Sequence, residues 1–246
     1  MPDAPAPAGG GNLGAGGGNL GAGGGERLVI FDCDGVLVDS EVLVSQAEAV
    51  LLARSGVHLT AAQINDMFVG LSEPEMTRRI EQGWGVKLGP EFAAAKKESV
   101  FGLLSAHLQP VAGIEAVVAG VRARKCVASS SSVARVGLSL RKTGLARYFG
   151  DNVFTAGMVE RGKPAPDLFL FAAERMEVAP ARSVVVEDSP YGVEGAVAAG
   201  MAVIGFTGGG HCTEATPGRL LSAGAGAIAG SAGELAELLG VAVASL

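Results

Sequence analysis

The stretch FDCDGVLVDS, residues 31–40, places Asp32, Asp34 and Asp39 within eight residues, directly after the apolar run LVIF. In an extended chain, residues two apart point the same way, so Asp32 and Asp34 are expected to share a face while Cys33 turns to the other side. Two carboxylates this close resist ionising together unless a cation joins them, and oxygen donors of this kind suit Mg2+. A metal and a phosphate are therefore the expected occupants. Other polar groups follow short apolar runs: the serines of VASSSS (127–132), Lys163 in RGKPAP, and Glu187 with Asp188 in VVVEDSP.

Elements that would position these groups are legible from Arg27 onward, where short apolar segments alternate with helical ones. Strands are expected at 28–32, 126–129, 152–156, 183–187 and 202–206, and more weakly at 227–229. Helices are expected at about 133–143, 166–176, 191–199 and 231–239, with Pro166 and Pro190 in first turns. This is the pattern of an α/β fold, a Rossmann-like doubly wound parallel sheet covered by helices. The interval 41–106 has helical periodicity and no strand, which predicts an all-helical cap inserted into a core made of residues 26–40 and 107–246. Open parallel sheets bind ligands beyond the carboxyl ends of their strands, so a cap leaving after the first strand would lie over the site as a lid. Residues 1–25 repeat GGGNLGA and offer little apolar surface, so a flexible tail is expected there.

Bulk composition narrows the partner. With 246 residues, 48% of them hydrophobic, the chain can bury a sizeable core. A formal charge of −6 and the absence of a long Lys/Arg run argue against nucleic acid or an anionic membrane and leave a small molecule. Cys33, Cys126 and Cys212 form no C-x-x-C pair, so neither a disulfide framework nor a zinc site is expected. A cytoplasmic location follows, since no basic start leads into an apolar stretch and no apolar run would span a bilayer. A monomer is the favoured state.

FDCDGVLVDSE resembles the first signature of the haloacid dehalogenase superfamily of aspartate-nucleophile phosphohydrolases. VASSSS, RGKPAPDLF and VVVEDSPYGVEGAVAAGM are similar to its other three, in the same order, and the resemblance spans about residues 26 to 240. It implies that Asp32 is the nucleophile. Asp34 is then the general acid and base, which asks for a proton affinity raised relative to Asp32. Ser129 and Lys163 would bind the transferring phosphoryl group, with backbone N–H groups around Gly35 and Ser130 completing the cradle. Mg2+ would be held by Asp32, the main-chain carbonyl of Asp34 and Asp188, with Glu187 a direct or water-linked ligand.

Departures from relatives narrow the reaction. Haloalkanoic acid dehalogenases lack the second aspartate of the first motif and phosphonoacetaldehyde hydrolases have alanine there, whereas Asp34 is present. Mutases similar to beta-phosphoglucomutase carry an arginine after a Gly-x-Ser in the cap and a histidine on the first helix. Here the matching positions are Gly70-Leu71-Ser72-Glu73 and Val44. A glutamate at the clamp would repel a second phosphate, which points to hydrolysis of a monophosphate. Longer stretches are similar to bacterial phosphatases of sugar phosphates and phosphorylated sugar acids, including 6-phosphogluconate phosphatases. Glu73 is thus a candidate substrate contact, with Arg78, Arg79, Lys96 and Lys97 beside it. A noncatalytic binding module would be marked by loss of Asp32, Asp34 or Lys163, and all three are present.

The neighbouring polar residues have plainer expectations. Asp39 and Ser40 are expected to cap the first helix, and Ser130 to Ser132 to start and cap the helix after the second strand. Asp167 should be a first-turn acid and Cys33 a packing residue. His58, His107 and His211 have no ligand spacing, and His211 in TGGGHC is expected in a surface loop. Trp84 is expected in the core of the cap.

Overall fold

The computed structural model describes residues 26–68, 71 and 73–242. The glycine-rich repeat and residues Gly70 and Ser72 of the cap motif lie outside the described residues.

β1 (Leu28–Phe31) is buried along its whole length, because its side chains alternate between two apolar layers. Leu28 and Ile30 pack with Leu168, Phe169 and Val193 on one face; Val29 and Phe31 pack with Ile114, Leu140 and Phe149 on the other. A strand covered on both faces by helices reads as a continuous hydrophobic run, as LVIF does. Each such side chain contributes about 1.5–3 kcal/mol on burial.

Around β1 lie β2 (Arg124–Ser129), β3 (Val153–Thr155), β4 (Ser183–Glu187), β5 (Ala202–Phe206) and β6 (Ala227–Ala229). All pair in parallel in the order β3-β2-β1-β4-β5-β6, with Phe31 level with Val127 on one side and Val186 on the other. The chain order reverses between β1 and β4, which makes the crevice beyond their carboxyl ends the natural ligand site.

α1 (Glu41–Arg54), α2 (Ala61–Phe68), α3 (Glu73–Trp84) and α4 (Pro90–His107) fill the interval after β1. They enclose a separate apolar cluster of Leu52, Val57, Ile64, Phe68, Met76, Ile80 and Leu88. Val44 and Ala47 of α1, with Val100 and Leu104 of α4, join the sheet-side layer instead. Trp84 is not a core residue: at the end of α3 it is exposed.

The remaining helices are α5 (Ile114–Gly120), α6 (Val133–Lys142), α7 (Asp167–Arg175), α8 (Pro190–Ala198), α9 (Thr216–Ser222) and α10 (Ala232–Leu239). α6, α8 and α10 begin at serines 132, 189 and 231, whose hydroxyls accept N–H groups of the first turn. α5 and α9 were not anticipated; at seven residues each they are too short to show a helical period. Asp167 starts α7 and pairs with Arg161, as a first-turn acid should.

Candidate active site

The end of β1 delivers Asp32, whose N–H donates to the carbonyl of Val186 on β4 at 3.0 Å. Lys163 arrives from the loop between β3 and α7. Its ammonium donates to Asp32 Oδ1 at 2.6 Å, to the Ala128 carbonyl at 3.0 Å and to Glu187 Oε1, while resting 5.1 Å from the centre of the Phe169 ring. Burial works against this ammonium, but Asp32 and Glu187 outweigh it and hold the lysine above its ordinary range. Burial pushes Asp32 well up despite Lys163, and the charges of Glu187, Asp188 and Asp34 add to the rise. Glu187 is raised for the same first reason, with Lys163 opposing. The cluster therefore carries more negative charge than its lysine balances.

Asp32, Glu187 and Asp188 each place a carboxylate oxygen within 4.8 Å of the others, and all three are buried. Glu187 is already committed: Lys163 takes Oε1, and Oε2 accepts from the N–H of Asp188 at 3.1 Å, the N–H of Ser189 at 3.2 Å and the Ser189 hydroxyl at 3.0 Å. Asp188 Oδ2, by contrast, is buried with no hydrogen-bond partner. Three buried carboxylates within reach of one another, carrying surplus negative charge, fit a hard divalent cation such as Mg2+.

His211 does not lie at the surface. Its side chain is buried, and Nε2 approaches Asp188 Oδ2 at 3.0 Å, a charge contact without hydrogen-bond alignment. Burial lowers its proton affinity, but Asp188 and Cys212 overcome that and push its pKa up to about 11. The glycines before it explain the close approach. A Cβ on Gly209 would stand 2.7 Å from the Gly35 carbonyl, and one on Gly210 would stand 2.8 Å from Asp39 Oδ2. Asp39 is likewise no helix cap, because its Oδ1 accepts the N–H of Gly210 at 3.0 Å.

Gly35 has φ +82°, and a Cβ there would fall 1.8 Å from Asp188 Oδ2. Its N–H donates to the Val38 carbonyl at 2.8 Å, so it is not free to bind substrate as the motif suggested. The residue serves instead to turn the chain and admit Asp188.

β1 stops at Phe31, and Asp34 lies in a turn in which Leu37 and Val38 donate to the Cys33 carbonyl, yet both aspartates line one cavity. Cys33 is buried in the sheet-side layer. Asp34 Oδ1 accepts from the Ser40 hydroxyl at 2.5 Å and from Arg135 Nη2 at 2.7 Å, and Oδ2 accepts from the Ser131 hydroxyl at 2.7 Å. Ser40 thus serves Asp34 and makes no side-chain cap. Burial raises Asp34, but Arg135 and the two hydroxyls prevail and hold it below its usual value. The expected order of proton affinities is reversed, because the cations and donors are divided unevenly between the two acids.

Asp32, Asp34, Ser129, Lys163 and Asp188 line one cavity of about 480 Å³. Ser129 Oγ accepts the Ser131 N–H at 3.0 Å, and the Ser130 hydroxyl is buried without a partner. Val44, Phe68, Met76 and Phe101 supply apolar wall from the helical layer. Glu73 also lines the cavity, 3.6 Å from Lys96, which binds the buried Glu48 more closely at 2.7 Å. Lys97 lines it as well, whereas Arg78 and Arg79 pair with Glu75 outside it.

A family model described as a haloacid dehalogenase-like hydrolase matches residues 26–200. The chain belongs to the haloacid dehalogenase-like hydrolases. Among curated relatives, the 6-phosphogluconate phosphatase of Escherichia coli K12 is 31% identical over 179 residues, covering 72% of this chain and 81% of that protein. The fructose-1-phosphate phosphatase of the same strain is 33% identical over 179 residues, covering 70% and 92%. The crystal structure of a conserved haloacid dehalogenase-like protein of unknown function from Agrobacterium tumefaciens superposes with a TM-score of 0.78 at 34% identity, covering 88% of this chain and 98% of that one.

Two residues of this haloacid dehalogenase-like hydrolase went unread in the sequence, Arg135 and Glu41. Ser131 stands in the loop before α6 and Arg135 in the first turn of that helix, so no helical spacing linked the two. Glu41 Oε1 lies 3.5 Å from Arg135 Nη2. Burial raises the Glu41 pKa to about 7 against the pull of Arg135, with Asp34 adding to the rise. A raised carboxyl contributes stability that is complete below about pH 4.5 and is lost as pH passes through about 7. Glu41→Gln should therefore match the wild type in melting temperature at pH 5 and exceed it at pH 8. A difference independent of pH would contradict the assignment.

Proposed function

We propose that this enzyme is a Mg2+-dependent phosphatase of small phosphate monoesters, sugar phosphates or phosphorylated sugar acids such as 6-phosphogluconate, working through an aspartyl phosphate on Asp32. The observation that carries the reading is the Asp32–Lys163 pair beside the buried Asp188 carboxylate, in a cavity that opens under the helical layer. The names of the two E. coli relatives support the substrate class.

In the first step an Asp32 oxygen attacks phosphorus, the bond from phosphorus to the ester oxygen breaks, and Asp34 gives that oxygen its proton. In the second, Asp34 takes a proton from water, the water oxygen attacks phosphorus, and inorganic phosphate leaves as the Asp32 carboxylate is restored. Asp34 as a carboxylate is the form that begins the second step, and the proton it takes from water there is the one it gives to the ester oxygen in the first step of the next turnover. Lys163 opposes the charge spread over the equatorial oxygens, with the Ser129 and Ser130 hydroxyls as donors. Asp32, Asp188 and the Asp34 carbonyl would hold Mg2+, with Glu187 reached through water, and the bound ion would supply charge neutralisation at the phosphoryl group.

Residues 41–106 act as the cap on a core of residues 26–40 and 107–246, shutting water out around the substrate. No helix among the described residues is long and apolar enough to cross a membrane. The enzyme works on a small molecule, as a cytoplasmic monomer.

The test is phosphate release with and without Mg2+ across sugar phosphates, 6-phosphogluconate, nucleotides and beta-glucose 1-phosphate. Magnesium-dependent release concentrated on the sugar compounds is the expected result. Conversion of beta-glucose 1-phosphate to glucose 6-phosphate without release would make the enzyme a mutase and remove the weight placed on Glu73 and Val44.

A further inference from the structure

Asp34 is held by groups from three separate places: Ser40 ahead of α1, Ser131 in the loop after β2, and Arg135 in the first turns of α6. The helix that presents Arg135 is firmly seated, with Ser132 capping its start and Val136 and Leu140 buried beneath it. The same Nη2 that meets Asp34 also faces Glu41 Oε1 at 3.5 Å, so one edge of the guanidinium is held by two carboxylates.

This arrangement is poorly explained by stability. The side chain is mostly buried, its Nη2 serves both carboxylates, and its Nε has no hydrogen-bond partner. A buried charge with an unsatisfied donor contributes little to folding, and departures of this kind concentrate where function needs the group.

We infer that Arg135 is a positioning residue for proton transfer, fixing the orientation from which the Asp34 carboxylate serves the leaving group. The inference rests on the phosphatase reading. Guanidinium only donates, whereas a hydroxyl can donate or accept. Arg135 and Ser40 together therefore keep Oδ1 as an acceptor, and Oδ2, faced by the rotatable Ser131 hydroxyl, is the oxygen that carries the proton. Without Arg135, Oδ1 keeps one hydroxyl donor and Asp34 is free to turn about its side-chain bonds.

Protonation matters for an alcohol leaving group and hardly at all for p-nitrophenolate, so the two substrates separate positioning from general damage. The experiment compares the wild type, Arg135→Met and Arg135→Lys on the best sugar phosphate of the panel and on p-nitrophenyl phosphate, with Mg2+ present. With the first step read as alcohol or p-nitrophenolate release within a single turnover, apart from the water step that both substrates share, Arg135→Met should lose roughly 10²-fold in that rate on the sugar phosphate and stay within about fivefold on p-nitrophenyl phosphate, with Arg135→Lys regaining part of the loss. Equal losses on both substrates, or no loss on either, overturn the role. Should Arg135→Met fail to fold, Arg135→Gln carries the same comparison. An inactive wild type overturns the phosphatase reading and this role with it, whereas an active wild type with equal losses overturns the role alone.

Discussion

Asp32→Asn should lower kcat for phosphate release by more than roughly 10⁴-fold, the scale seen when a covalent nucleophile is removed, while leaving the fold at least as stable. The stability half follows from the charge at the end of β1. Burial and three neighbouring carboxylates already push the Asp32 pKa well above its usual value, so a neutral amide of the same shape relieves repulsion even as it weakens the contact with Lys163. A melting temperature equal to or above that of the wild type, together with lost turnover, would show activity held at a cost in stability. Acid-quenched peptide mapping should find phosphate on Asp32 in the wild type only. A variant with near-native turnover would remove the covalent mechanism.

Lys163→Met should do the opposite to stability. The ammonium is buried against Asp32 and Glu187, and its removal leaves carboxylates uncompensated in a dry site. Breaking a buried pair from one side costs about 3–5 kcal/mol, which is a large part of the stability of most domains. The loss should depend on pH in a fixed direction. Asp32 and Glu187 are both raised already, so with the lysine gone the folded state keeps protons that the unfolded chain releases. The variant should therefore approach the wild type as pH falls and diverge from it as pH rises. Urea unfolding at pH 5 and pH 8 measures this, and Mg2+ should return part of the lost stability at pH 8 if the three acids hold a cation. Equal destabilisation at both pH values would show that packing against Phe169 is what the lysine provides.

The sheet was readable because its strands are short apolar runs, three of which end at or just before a polar residue of the site: Asp32, Ser129 and Glu187. Helices of eight or more residues were readable from their period and their serine or proline starts, whereas α5 and α9, at seven residues each, fall below that length. What the sequence concealed were the groups that act by returning to the site from elsewhere. Ser40 looked like a cap because hydroxyls before helices usually are, yet the turn closed by Gly35 brings Asp34 within its reach. His211 was hidden by a glycine run that resembles a surface loop, although those glycines are what let the loop press against residues 35 and 39. The reversed proton affinities of Asp32 and Asp34 depended on Arg135, whose contact with Asp34 spans 101 residues of chain.

Lys163 and Asp32 meet across 131 residues, and Glu187 joins them from the end of β4, the strand paired with β1. During synthesis the charge of Asp32 therefore has no partner until residue 163 has left the ribosome, and the acidic cluster is complete only with residue 188. Contacts of such long sequence separation form late and slowly in folding. Recovery of turnover after dilution from denaturant would then report the completed β1–β4 crevice, and should trail the fluorescence and circular dichroism signals of collapse.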